Sequence, residues 1–231
     1  MNDMMENFGD LEFAQNSDPR IPVVLLLDCS DSMMEKRPGE DRSPFEALNG
    51  GLDTLWSALH SDPLAKRRAE VSFITFGSDV SEPTEFKTVD DMVLPALQPM
   101  GVTSLAEALT VALDAIEARK QTYRDNGVQY YRPILMAISD GLPTSPKETI
   151  SEVSARLKDS VERKKLTFMP IAVEGADVDV MTSLSGKQAL KLQGMKFDEL
   201  FQWLSASAAA VSASQPGDAV KAPAPDGWAE L

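Results

Sequence analysis

Pro22-Val23-Val24-Leu25-Leu26-Leu27-Asp28-Cys29-Ser30-Asp31-Ser32 decides how the rest of the chain is read: a short apolar run ends abruptly in small oxygen-bearing side chains. Continuous apolar character over so few residues marks a strand buried on both faces, as in a parallel sheet. Asp28, Ser30 and Ser32 stand at i, i+2 and i+4, so while the chain stays extended their side chains leave the same side. One carboxylate and two hydroxyls, with no His or Cys among them, form a hard donor set that suits Mg²⁺ or Mn²⁺ rather than Zn²⁺. A local alternative exists for the same residues: Asp28 ends the strand as a turn residue, and Ser30 and Ser32 satisfy loop backbone.

Two later segments bear on that choice. Gly101-Val102-Thr103-Ser104-Leu105 puts hydroxyls just ahead of a long helical pattern, and Ile134-Leu-Met-Ala-Ile-Ser139-Asp140-Gly141 is a second apolar strand ending in an acid and a glycine. In open α/β sheets ligands gather outside the carboxyl ends of the strands, where neighbouring connections diverge. No local turn explanation accounts for all three loops. Ser104-x-x-Glu107 also has the form of a capping box, so Ser104 is assigned to the helix N-terminus and Thr103 to the site.

Strand and helix patterns alternate outward from this centre. Apolar spacing at Phe45, Leu48, Leu52, Leu55, Trp56 and Leu59 predicts a helix over about 45–60, and Ala69–Phe76 reads as a strand. A Pro-containing antiparallel edge strand is expected within 80–88, a short helix near 90–97, and a long helix over 104–124. Strands at 133–139, 166–173 and 189–192 alternate with helices at 147–163, 177–184 and 197–210. The expected fold is α/β: a doubly wound, mainly parallel six-stranded sheet with one antiparallel edge strand and helices on both faces. Residues 1–20 read as a polar, acidic arm, 21–211 as the folded domain, and 212–231 as a flexible Pro/Ala-rich tail in which Trp228 is a candidate docking residue.

The 231 residues carry 22 basic and 36 acidic side chains, a net charge of −14. That balance, with no basic stripe, argues against nucleic acid and anionic membrane as partners and favours divalent cations. Cys29 is the single cysteine, so no intrachain disulfide forms. The start of the chain has neither the basic residues nor the apolar stretch of a signal peptide, and no run approaches a membrane span. A cytoplasmic, monomeric protein is expected.

With these residues in place, the chain resembles the von Willebrand factor A (VWA) domain, whose metal-ion-dependent adhesion site (MIDAS) is written Asp-x-Ser-x-Ser, then Thr, then Asp. The resemblance implies a metal centre made of Asp28, Ser30, Ser32, Thr103 and Asp140. Ser30 and Ser32 would be direct hydroxyl ligands, Thr103 a ligand directly or through water, and Asp28 and Asp140 partly water-bridged. Mg²⁺ is the implied ion, with Mn²⁺ or Ca²⁺ as alternatives. Its open coordination position takes an Asp or Glu from a partner protein. Within the family the chain looks most like the short cytoplasmic tellurium-resistance proteins of the TerY type, on Val71-Ser-Phe-Ile-Thr-Phe76, Ser139-Asp140-Gly141-x-Pro143-Thr144 and Phe201-x-Trp203-Leu-Ser205. Gly101-Val102-Thr103 departs from the usual Gly-Gly-Thr but keeps the ligand. The resemblance implies a bacterial stress-response system, with a kinase/phosphatase pair or an AAA+ ATPase as partner classes.

Enzymatic alternatives have less behind them. A haloacid-dehalogenase-like (HAD-like) phosphatase begins with a strand ending in Asp, but needs a second acid two residues on, where Ser30 stands. A cysteine phosphatase built on Cys29 needs an Arg where Glu35 stands. His60, the only histidine, reads as a helix-end residue. No phosphate-binding glycine motif follows the first strand. The expectation is that the chain is not an enzyme.

Overall fold

The structure, a computed structural model, describes residues 13, 16–140, 143–218, 220, 222–225 and 227–230. The acidic arm expected over 1–20 therefore lies outside the described residues at 1–12 and 14–15.

In chain order the elements are β1 (Ile21–Asp28), α1 (Pro44–Ser61), α2 (Pro63–Arg68), β2 (Ala69–Phe76), β3 (Lys87–Thr88), α3 (Leu105–Asp125), β4 (Ile134–Ser139), α4 (Lys147–Glu162), β5 (Thr167–Ala172), α5 (Val178–Ser185), β6 (Leu190–Leu192), α6 (Phe197–Ser212) and β7 (Ala229–Glu230), with a 3₁₀ turn at Asp31–Met34. They form one sheet in the order β3-β2-β1-β4-β5-β6-β7. β2, β1, β4, β5 and β6 run parallel, while β3 and β7 pair antiparallel at the two edges. The six expected strands are all present, with the antiparallel edge shortened to Lys87–Thr88 beside an isolated bridge between Phe76 and Val80.

β1 is buried along its whole length, and its period of two sorts the core. Val23, Leu25 and Leu27 face a cluster that holds α1 and α6, while Val24 and Leu26 face α3 and α4. On the first face α1 and α6 pack so closely at Gly51 that a Cβ there would stand 2.8 Å from a Phe201 ring carbon. α1 opens on the capping box of Ser43 and Glu46, with Pro44 at its first position.

Three expectations need correction. No helix forms at 90–97: residues 92–104 are irregular, and Pro95 disfavours helical backbone just before it. The capping box at Ser104 does not form either. Ser104 Oγ donates to Ser78 O (3.3 Å), and Glu107 is taken by the Ser145 hydroxyl. Third, the end of the tail expected to be flexible over 212–231 packs against the domain. Trp228 is buried against the α1/α6 face, its ring 5.2 Å from that of Trp203, and Ala229–Glu230 adds the seventh strand. Trp203 Nε1 donates to Pro223 O (2.9 Å) and Lys196 Nζ to Gly227 O (2.5 Å), so side chains of α6 and of the residue just before it grip backbone of the tail. Residues 219, 221, 226 and 231 lie outside the described set.

Candidate metal centre

β1 and β4 are adjacent parallel strands, registered Leu27 with Ile138, so Asp28 and Ser139 emerge side by side at their carboxyl ends. Asp28 ends β1 fully buried. Its Oδ1 accepts from Ser30 N (2.8 Å) and its Oδ2 from the Ser139 hydroxyl. The chain then turns through the 3₁₀ segment, which sets the Ser30 and Ser32 hydroxyl oxygens 3.1 Å apart. Ser32 Oγ donates to Asp140 Oδ1 at 2.7 Å. Asp28, Ser30, Ser32 and Asp140 thus belong to one connected set drawn from two loops.

Thr103 comes from a third loop that is fastened to both. Met100 N donates to Cys29 O and Asp31 N to Gly101 O, each at 2.7 Å, which ties this loop to the end of β1. On its other side the Thr103 carbonyl accepts from Thr144 N (3.0 Å) and Thr144 Oγ1 (3.1 Å). Gly77 allows the close approach: a Cβ there would fall 2.4 Å from the Met100 carbonyl oxygen. Thr103 is buried, and its hydroxyl makes no hydrogen bond among the described residues. Val102, the departure from the family pattern, points outward and is about half exposed.

The electrostatics of the centre are unbalanced. Burial, with a smaller contribution from repulsion by Asp140, pushes the Asp28 carboxyl up to about 6 against the opposing hydrogen bonds from Ser139 and Ser30. Asp140, also buried, has one cationic partner among the described residues: Arg37 Nη2 donates to its Oδ2. Among the described residues no three His, Cys, Asp or Glu side chains cluster as a metal group, so an ion here would rest on hydroxyls as much as carboxylates. The donor set fits one. An octahedron of oxygens about 2.0–2.1 Å from Mg²⁺ has edges of roughly 3 Å, and the two serine oxygens are separated by 3.1 Å.

The family profile of the von Willebrand factor type A domain matches residues 23–201. The chain belongs to the VWA domain family. Solved structures agree on the fold. Proximal thread matrix protein 1 of the mussel byssus, in a structure with a zinc-occupied MIDAS motif, is 13% identical with a TM-score of 0.52, over 84% of this chain and 49% of that one. A von Willebrand factor type A protein from Catenulispora acidiphila is 12% identical with a TM-score of 0.59, over 83% and 43%. The pilus adhesin SpaC of Lactobacillus rhamnosus GG is 10% identical with a TM-score of 0.61, over 85% and 32%. The chain therefore spans about half or less of the length of these proteins. A search of curated protein sequences returns no significant match.

Two participants in the VWA centre were not singled out from the sequence. Ser139 immediately precedes Asp140, and a hydroxyl beside a strand-end acid is the only sign of it. Arg37 sits in a loop of mixed charge, Glu35-Lys-Arg-Pro-Gly-Glu-Asp-Arg42, where nothing distinguishes it from Lys36 or Arg42.

Proposed function

We propose that this VWA domain is a metal-dependent protein-binding module in which Asp28, Ser30, Ser32, Thr103 and Asp140 hold a Mg²⁺ ion whose open position captures an Asp or Glu side chain of a partner. The observation that carries this is the convergence of three loops on one hydroxyl-rich, negatively charged point at the carboxyl end of the central strands. The ion supplies the positive charge that lets an acidic segment approach a chain of net charge −14. Neutral hydroxyl ligands leave it electrophilic enough to accept one more carboxylate. Mn²⁺ or Ca²⁺ serves the same donor set with different affinity.

No catalytic residue is assigned. Ser30 stands where a HAD-like phosphatase needs its acid. Cys29 is buried with its thiol pushed up to about 12, chiefly by desolvation. His60 lies in the last turn of α1, stacked on Trp56. The finer assignment, a cytoplasmic TerY-type protein in a tellurite-resistance or stress-response system, rests on sequence motifs; a kinase/phosphatase pair or an AAA+ ATPase would then supply the partner acid. No helix among the described residues is long and apolar enough to cross a membrane.

The test is a pull-down from cell extract with Mg²⁺ and again with EDTA, using wild type and the Ser30→Ala/Asp140→Ala double variant. Partner capture is expected only for wild type with Mg²⁺. Full capture by the double variant, insensitive to EDTA, would place recognition on another surface.

A further inference from the structure

The ion pair between Arg37 and Asp140 is not part of the five-residue ligand pattern, yet its geometry is fixed from both ends. Arg37 opens a turn, Arg37-Pro38-Gly39-Glu40, closed by Glu40 N donating to Arg37 O at 3.1 Å, with Gly39 at φ +86°. Proline second and a left-handed glycine third are the signature of a type II turn, which holds the Arg37 backbone in place. Lys36 Nζ on Asp41 O (2.9 Å) ties the base of the same loop. The guanidinium reaches inward to Asp140 Oδ2, the carboxylate oxygen that Ser32 does not use, with the arginine side chain 19% exposed and that of Asp140 fully covered. Arg37 Nε is buried and makes no hydrogen bond among the described residues, and the guanidinium also lies against Gly175, where a Cβ would stand 3.6 Å from Nη2.

The consequence is electrostatic. Two carboxylates and a divalent ion sum to zero formal charge, so a further anion is drawn only by the ion's open position and gains nothing from net charge. With Arg37 joined to the same network the loaded site carries a net positive charge. Before loading, the same guanidinium neutralises one of the two carboxylates that would draw the ion in. Asp31, in the same loop, is exposed and its Oδ1 accepts from Gly101 N.

We propose that Arg37 is a tethered cation that sets the specificity of the metal centre, weakening its hold on the divalent ion and strengthening the loaded centre's hold on a carboxylate. This rests on the metal-site reading given above. The two effects have opposite signs, which separates a charge-setting role from a structural one: a residue that merely braced Asp140 would, when replaced, weaken both.

The experiment compares wild type with R37Q, which keeps a hydrogen-bond donor but no charge, and R37K, which keeps the charge. Mn²⁺ binding is followed by the electron paramagnetic resonance of the free ion. Acetate binding to the Mn²⁺-loaded protein is followed by the loss of water-proton relaxation as a bound water is displaced. R37Q should bind Mn²⁺ on the order of tenfold more tightly and acetate on the order of tenfold more weakly, with R37K close to wild type. Loss of both affinities in R37Q, or no change in either, overturns the role of Arg37 while leaving the metal site standing. Wild type that binds no Mn²⁺ removes the metal-site reading and this inference with it.

Discussion

Two buried carboxylates sit at opposite ends of adjacent strands, and they are treated in opposite ways. Glu70, at the amino end of β2, accepts from Arg20 Nε (2.7 Å), from Arg119 Nη2 (2.7 Å) and Nε (3.0 Å), and from the Tyr123 hydroxyl. The Arg119 guanidinium lies over the Tyr123 and Phe13 rings, 5.0 and 5.2 Å from their centroids. Asp28, at the carboxyl end of β1, accepts from the backbone amide of Ser30 and from neutral hydroxyls, with no cationic donor among the described residues. One end of the sheet is therefore closed, its acid outnumbered by guanidinium groups. The other end is open, with more negative charge than the chain itself neutralises. The closed end secures the fold, and the open end is suited to a mobile cation.

The largest test of that contrast is at the closed end. Glu70→Gln removes the carboxylate that two largely buried guanidinium groups share, and breaking a buried ion pair from one side costs about 3–5 kcal/mol; a loss of that size is expected in denaturant unfolding. A loss under about 1 kcal/mol would show that the arginines find other partners and would blunt the comparison.

Asp28→Asn should move stability the other way. The folded carboxyl is raised from 3.8 to about 6, so its ionised form is disfavoured in the metal-free fold. The cost is absent below the unfolded value, grows as pH rises between the two values, and is complete above about 6. Measured in EDTA at pH 8, the asparagine variant should gain up to ~3 kcal/mol, with the gain fading as pH falls through 6 towards 4. A variant less stable than wild type at pH 8 would show that Asp28 is compensated after all.

The smallest effect marks the boundary between open end and core. Cys29 is next to Asp28 but packs on the α1/α6 face, and its thiol is raised from 9.0 to about 12. At pH 8 its alkylation by iodoacetamide should be about a thousandfold slower in the native protein than in urea, since the thiolate is the reactive form. Rapid native labelling would mean that the site loop opens far enough to expose the core beneath it.

Much of this was legible in the sequence because it depends on local pattern. Leu25-Leu26-Leu27 leads straight into Asp28, and three candidate ligands, one Asp and two Ser, fall at alternate positions from that strand end, so strand and site were read from the same residues. The rest depends on long-range partners. Arg37 meets an acid 103 residues away, and Trp228 is carried to α6 across a Pro/Ala-rich stretch with no helical or strand period. Glu70 did leave a trace, a lone charge inside the apolar run Ala69-Glu70-Val71, but its partners at positions 20, 119 and 123 left none. The failed capping box at Ser104 shows the converse. A correct local motif lost because Ser78 and Ser145, on neighbouring loops, took both of its side chains.

The account stands or falls on the open end binding a divalent ion. Isothermal titration of Mg²⁺ into metal-stripped protein is predicted to show one ion bound per chain in wild type. The Ser30→Ala/Asp140→Ala variant should bind none that can be measured, while a cooperative metal-free thermal transition shows that it is still folded. A wild-type protein that takes up no Mg²⁺, or a double variant that takes it up equally well, would contradict the central claim.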